Sequence, residues 1–113
     1  MGLDHTLDGT LLRASVQHVD RFGNIQLAVF AFELDGLFEP GRLAEVVTPD
    51  DRYYVRCAET FADVDPGELV IYGDSSGLIS VAVNQGSAAE LTATEAGDEI
   101  GVEFSPSRRG RGA

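Results

Sequence analysis

The chain has 113 residues, of which 43% are apolar and 24% charged, with a formal net charge of −11. That size suits one domain around one core, and the composition excludes a disordered polyelectrolyte. Such acidity disfavours nucleic acid as a partner, because binding there depends on neutralising phosphates with Lys and Arg.

No apolar run reaches the roughly 18–20 residues of a membrane span. All nineteen acids precede Ser105, whereas three of the eight arginines lie in the tail "SPSRRGRGA", and lysine is absent. The N-terminal residues 1–9 are acidic and lack the apolar region of a secretory signal, so they read as a mobile segment of a cytoplasmic protein. The lone cysteine, Cys57, forms no internal disulfide and agrees with a reducing compartment.

The first strand candidate is "LLRASVQHV" (Leu11 to Val19), in which apolar and polar residues alternate from Leu12. "HVDRFGN" (His18 to Asn24) joins it to a second strand, "IQLAVFAF". Gly23 permits a backbone closed to other residues, Asn24 tolerates left-handed geometry, and Phe22 can plug the core. Asp20 and Asn24 fit either a turn cap or a functional role. "LDGLFEPGR" reads as a loop, and "LAEVVT" and "RYYVRCAE" as strands. In the latter, Tyr53 and Tyr54 fall on opposite faces and Cys57 is a small packed residue.

The loop "ETFADVDPGE" holds Phe61 where its ring either packs over the barrel end or stacks on a planar ligand. "ELVIYG" and "LISVAVN" are strands flanking the turn "GDSSG", and "EIGVEF" is the last strand. Asn84 closes a strand and Gly86 precedes a helix, a place where backbone amides can bond a ligand's acceptors. The helix is "GSAAELTATEAGD", with Ser87 as cap, Glu90 completing a capping box and Gly97 as terminator. Residues 105–113 read as a disordered Arg-rich tail. The fold class is therefore all-β: a small, mainly antiparallel β-barrel of about seven strands with one short helix, over residues 10–104.

"GDSSG" has the G-x-S-x-G spacing, but it joins two strand candidates, so Ser75 does not sit in the strand-to-helix elbow of a nucleophile, and neither CxxC, a His pair at metal spacing nor a phosphate-binding glycine loop occurs. The chain reads as equipped to bind a ligand, with no catalytic residue, metal site or cofactor of its own.

In order, "DRFGN", "ETFADVDPGELVIYGDSSG", "LISVAVNQGSAAE" and "GDEI" resemble the C-terminal domain of the S-adenosyl-L-methionine (SAM) hydroxide adenosyltransferases, relatives of the fluorinase and chlorinase enzymes. The resemblance implies a β-barrel that accompanies a larger N-terminal α/β domain in a trimer. On that resemblance SAM would lie between the N-terminal domain of one subunit and the barrel of its neighbour, as substrate rather than cofactor, and water would displace methionine from the 5′ carbon. It further implies that Asn24, Phe61, Val83, Asn84 and Gln85 face adenine, while Asp20 and Ser75 hold the amino-acid end. Where some relatives carry arginine after that serine, this chain has Ser76.

The sequence does not contain the α/β domain, so the barrel is expected to be catalytically incomplete without one supplied in trans. Expected partners are SAM or adenosine, that domain, or further copies of the chain, and neither nucleic acid nor membrane. The alternative is a non-catalytic interaction module that keeps the barrel without ligand binding.

Overall fold

The structure, a computed structural model, describes residues 5–60 and 64–106. Its strands are β1 (His5–Asp8), β2 (Leu11–Val19), β3 (Ile25–Phe30), β4 (Leu43–Val47), β5 (Arg52–Cys57), β6 (Leu69–Gly73), β7 (Leu78–Val83) and β8 (Glu99–Phe104). One α-helix, α1 (Ala88–Thr92), and one 3-10 turn (Ala31–Leu34) complete the described elements. No helix among the described residues is long and apolar enough to cross a membrane.

The alternation in the sequence becomes a division between inside and outside. In β2, Leu12, Ala14 and Val16 are buried while Arg13 and Gln17 are exposed. Hydrogen bonding runs β2-β3-β7-β6-β5-β4-β8, and β8 pairs back onto β2, so seven strands close a barrel with β1 added outside the ring. Closure leaves the ring without unpaired edges. All pairings are antiparallel except β5 with β6.

Inside, Leu12, Ile25, Leu27, Ile71, Ile79, Ile100, Val102 and Phe104 are almost wholly removed from water. Each such side chain contributes about 1.5–3 kcal/mol relative to exposure. A second, smaller cluster lies apart from this core: Ala58 and Val64, which flank the Phe61 loop, pack with Val70 and Ala82 of the adjoining strands β6 and β7. Tyr53 packs against the main core while Tyr54 is exposed, as neighbours on a strand should be.

Three boundaries differ from the sequence reading. A strand already runs over His5–Asp8, ahead of residue 10, because Gly9 at φ 64° reverses the backbone and lays His5–Asp8 along Leu11–Ala14. Three of the four β1 residues are exposed, so no apolar alternation announced the strand. The second strand stops at Phe30 instead of Phe32: the Ala31 N–H donates to Gly77 O, and the Phe30 N–H donates to the Glu33 carboxylate. The helix ends at Ala93, which takes φ 55°, ahead of Gly97; the Gly97 N–H instead donates to Val16 O at the entry to β8. The Ser87 cap is present, its hydroxyl accepting from the Glu90 N–H at 3.1 Å. The arginines at 108, 109 and 111 lie outside the described residues.

Candidate functional site

The β2–β3 connection is built around the Asp20 carboxylate. Its Oδ1 accepts from the N–H groups of Phe22 (2.9 Å) and Asn24 (3.0 Å), and its Oδ2 accepts from Asn24 Nδ2 (3.0 Å). The Asp20 N–H donates to Asn24 O, and the Gly23 N–H to Asp20 O, closing the loop on itself. Burial, the largest influence on Asp20, opposes its ionisation. The bonds from Asn24 and Phe22, with His18 nearby, outweigh burial and hold the carboxyl below its ordinary 3.8.

Gly23 joins this loop to the helix. It sits at φ +86°, its carbonyl accepts from the Ala89 N–H, and a Cβ placed on it would fall 1.9 Å from Ser87 Oγ. Only glycine fits a backbone that must both turn left-handed and touch the helix cap. Phe22, which the sequence allowed as a core plug, instead stands 65% exposed, with the Arg21 guanidinium 5.2 Å from its ring centre. The Asp20 and Gly23 bonds tie down the residues on both sides of Phe22 and leave its ring outside the barrel.

Two clefts meet at Asn24. One, of about 420 Å³, is lined by Phe22, Asn24, Val83, Gln85 and Gly86 and is mainly apolar. The other, of about 300 Å³, is polar, and its walls include His18, Asp20, Asn24, Tyr72, Asp74 and Ser75. The first suits a flat, weakly polar group, and the second a charged or hydroxyl-bearing one. A third hollow, of about 430 Å³, lies on the outer face beside Leu43, Tyr54 and Leu91 and contains none of the seven candidate ligand-binding residues.

The structure thus brings together five of the seven residues named from sequence: Asn24, Val83 and Gln85 at one cleft, Asp20, Ser75 and again Asn24 at the other. Gln85 reaches its place through a left-handed backbone, φ 62°. Asn84 lines neither cleft. Its Nδ2 donates to Val64 O at 2.7 Å, its N–H to Glu68 O, and its carbonyl accepts from the Gly67 N–H, so it fastens the segment Val64 to Glu68 that leads into β6. Phe61 itself lies outside the described residues. The Gly86 N–H, a possible ligand donor on the sequence reading, is used by Val83 O at 3.2 Å.

Sequence reasoning missed Asp74 and Tyr72. Asp74 Oδ1 accepts from the N–H groups of Ser76 (2.8 Å) and Leu78 (3.1 Å), and Oδ2 from Gln26 Nε2 (3.0 Å) and Ser80 Oγ (2.7 Å). Burial alone would raise its pKa, but these four bonds carry it below 3.8. Tyr72 is pushed above 10.0 by burial and then by the charges of Asp74 and Asp20. An aspartate opening "DSSG" is a recognisable turn signal; its hydrogen bonds to β3 and β7 required the fold. Among the described residues no group of His, Cys, Asp and Glu is placed to hold a metal ion.

Residues 14–101 match the family model of the SAM hydroxide adenosyltransferase C-terminal domain. Over 89 residues, 79% of this chain, it is 44% identical to a protein of Salinispora arenicola named (R)-S-adenosyl-L-methionine hydrolase, and 43% identical to one of the same name from Salinispora tropica. The chain spans 31% of the length of each. Among solved structures, a conserved protein of Thermotoga maritima superposes with a TM-score of 0.82 at 28% identity, over 90% of this chain and 39% of that one. A conserved protein of Thermus thermophilus gives 0.63 at 32% identity, over 93% of this chain and 38% of that one. By the residues matched and the barrel they form, the chain belongs to the SAM hydroxide adenosyltransferase C-terminal domain family.

Proposed function

We propose that this barrel is an adenosyl-recognition half-site, binding SAM or adenosine in the two clefts that meet at Asn24. The observation that carries the proposal is that junction: one loop, Asp20 to Asn24, forms part of an apolar cleft and of a polar one beside it. Adenine would lie in the apolar cleft against Phe22, Val83 and Gln85, with the Asn24 amide offering donor and acceptor to the purine edge. The amino-acid end would lie in the polar cleft, its ammonium toward Asp20 and its carboxylate toward the Ser75 hydroxyl. Asn84 would act at one remove, by holding the segment Val64 to Glu68 that follows Phe61, whose ring would complete the stack on adenine.

The reaction assigned here belongs to the barrel joined to an N-terminal α/β domain, in the same chain or in trans. Water oxygen bonds to the 5′ carbon, the carbon–sulfur bond breaks with its electron pair passing to sulfur, and a proton leaves the water. Adenosine and methionine are the products. The barrel's share is to hold both ends of SAM so that the 5′ carbon is presented in one orientation. The assembly is proposed to be a trimer in which each barrel faces a neighbour's α/β domain.

Calorimetric titration of the chain with adenosine and with SAM tests the half-site. Saturable binding that weakens about tenfold or more in Asn24→Ala, with the melting curve recorded for each variant, is expected. Binding of neither ligand, or binding indifferent to Asn24, would contradict it.

A further inference from the structure

The turn between β6 and β7 is held more tightly than a turn requires. Asp74 carries about four acceptor positions on its two oxygens, and all four are filled: Ser76 and Leu78 N–H on Oδ1, Gln26 Nε2 and Ser80 Oγ on Oδ2. The backbone adds two more links, with the Asp74 N–H donating to Leu78 O and the Gly77 N–H to Asp74 O, each at 2.8 Å. Closing a turn needs the bonds inside it. The bonds to Gln26 and Ser80 reach out to strands β3 and β7, where those two residues are direct partners in the ladder.

Gln26, Ser76 and Ser80 all line the polar cleft, so Asp74 fixes a whole wall of it. Ser75 stands on that wall, exposed, and among the described residues its hydroxyl has no partner. Asp20 differs from Asp74 in one respect: three of its four acceptor positions are used within its own loop, which leaves one for a ligand. Asp20 is therefore suited to contact, and Asp74 to placement.

Resting on the adenosyl-recognition reading above, we propose that Asp74 is a positioning residue for the ligand's amino-acid end. It fixes the turn that presents Ser75 and places a second negative charge beside the ligand's ammonium without itself bonding the ligand. Adenosine, which has no amino-acid end, is indifferent to it.

The test compares dissociation constants of SAM and adenosine for the unaltered chain, Asp74→Asn and Ser80→Ala, with folding followed by circular dichroism. Asp74→Asn is expected to weaken SAM about tenfold while adenosine changes by less than about twofold. Ser80→Ala removes one of the four bonds and is expected to weaken SAM about threefold in the same direction; it decides the matter should Asp74→Asn fail to fold. A merely structural role would lower both ligands together, and that result, or no change in either, overturns the proposal. Failure of the unaltered chain to bind adenosine would overturn the half-site reading itself, and this inference with it.

Discussion

Replacing Gly23 by alanine tests the junction between the β2–β3 loop and the helix. The new Cβ would lie 1.9 Å from Ser87 Oγ, 2.6 Å from Ser87 Cβ and 2.9 Å from its Cα, and a side chain would be forced at φ +86°. The backbone conformation costs about 1–2 kcal/mol. Displacing the Ser87 hydroxyl from the Glu90 N–H removes a helix cap worth about 1 kcal/mol. With the collision added, the loss is about 3 kcal/mol or more, which for a domain of this size lowers Tm on the order of 15 °C. Gly67→Ala is the control: its φ of +87° is nearly the same, but no atom lies within 4 Å of the new Cβ. It should cost only the backbone share, about 1–2 kcal/mol. Urea denaturation of both variants measures the difference. Equal losses would refute the close approach of loop and helix, and with it the placement of Asn24 beside Gln85.

Truncating Phe104, 1% exposed in the core, to alanine should cost about 3–5 kcal/mol in the same assay. Asp20 and Asp74 both have folded pKa values below 3.8. A group depressed by folding contributes stability that is present above its unfolded pKa and lost as pH falls through its folded one. Stability should therefore be insensitive to these groups near neutrality and fall below about pH 4, less steeply in Asp74→Asn. Burial drives the Cys57 thiol up to about 11. A thiol-specific reagent at pH 8 should leave it unmodified in the folded chain and label it in denaturant; rapid labelling when folded would contradict its burial.

The barrel was legible because its signals are local. Alternation from Leu12 to Gln17 in β2, an apolar stretch interrupted by Ser80 alone in β7, and turn residues between the strands specify strands and their inner faces before any contact is known. β1 escaped notice because it is an added outer strand, mostly exposed, whose pairing depends on the reversal at Gly9. The helix end was misjudged because Ala93 takes a left-handed backbone that glycine usually supplies.

The candidate site was legible as a set of residues but not as an arrangement. Asp20 and Asn24 share a loop, so their partnership follows from short range. That Gln85 and Phe22 share one cleft, and that Asp74 spans to Gln26 and Ser80, depends on β3 pairing with β7 across more than fifty residues of chain. Asn84 shows the converse. The resemblance puts it facing adenine, and in the fold its side chain donates to Val64 O.

The most direct test of an adenosyl half-site is an amide chemical-shift titration of the chain with adenosine. Saturable shifts at Phe22, Asn24, Val83, Gln85 and Gly86, the lining of the apolar cleft, are predicted. Shifts confined to the outer hollow beside Leu43, Tyr54 and Leu91, or no shifts at all, would contradict it.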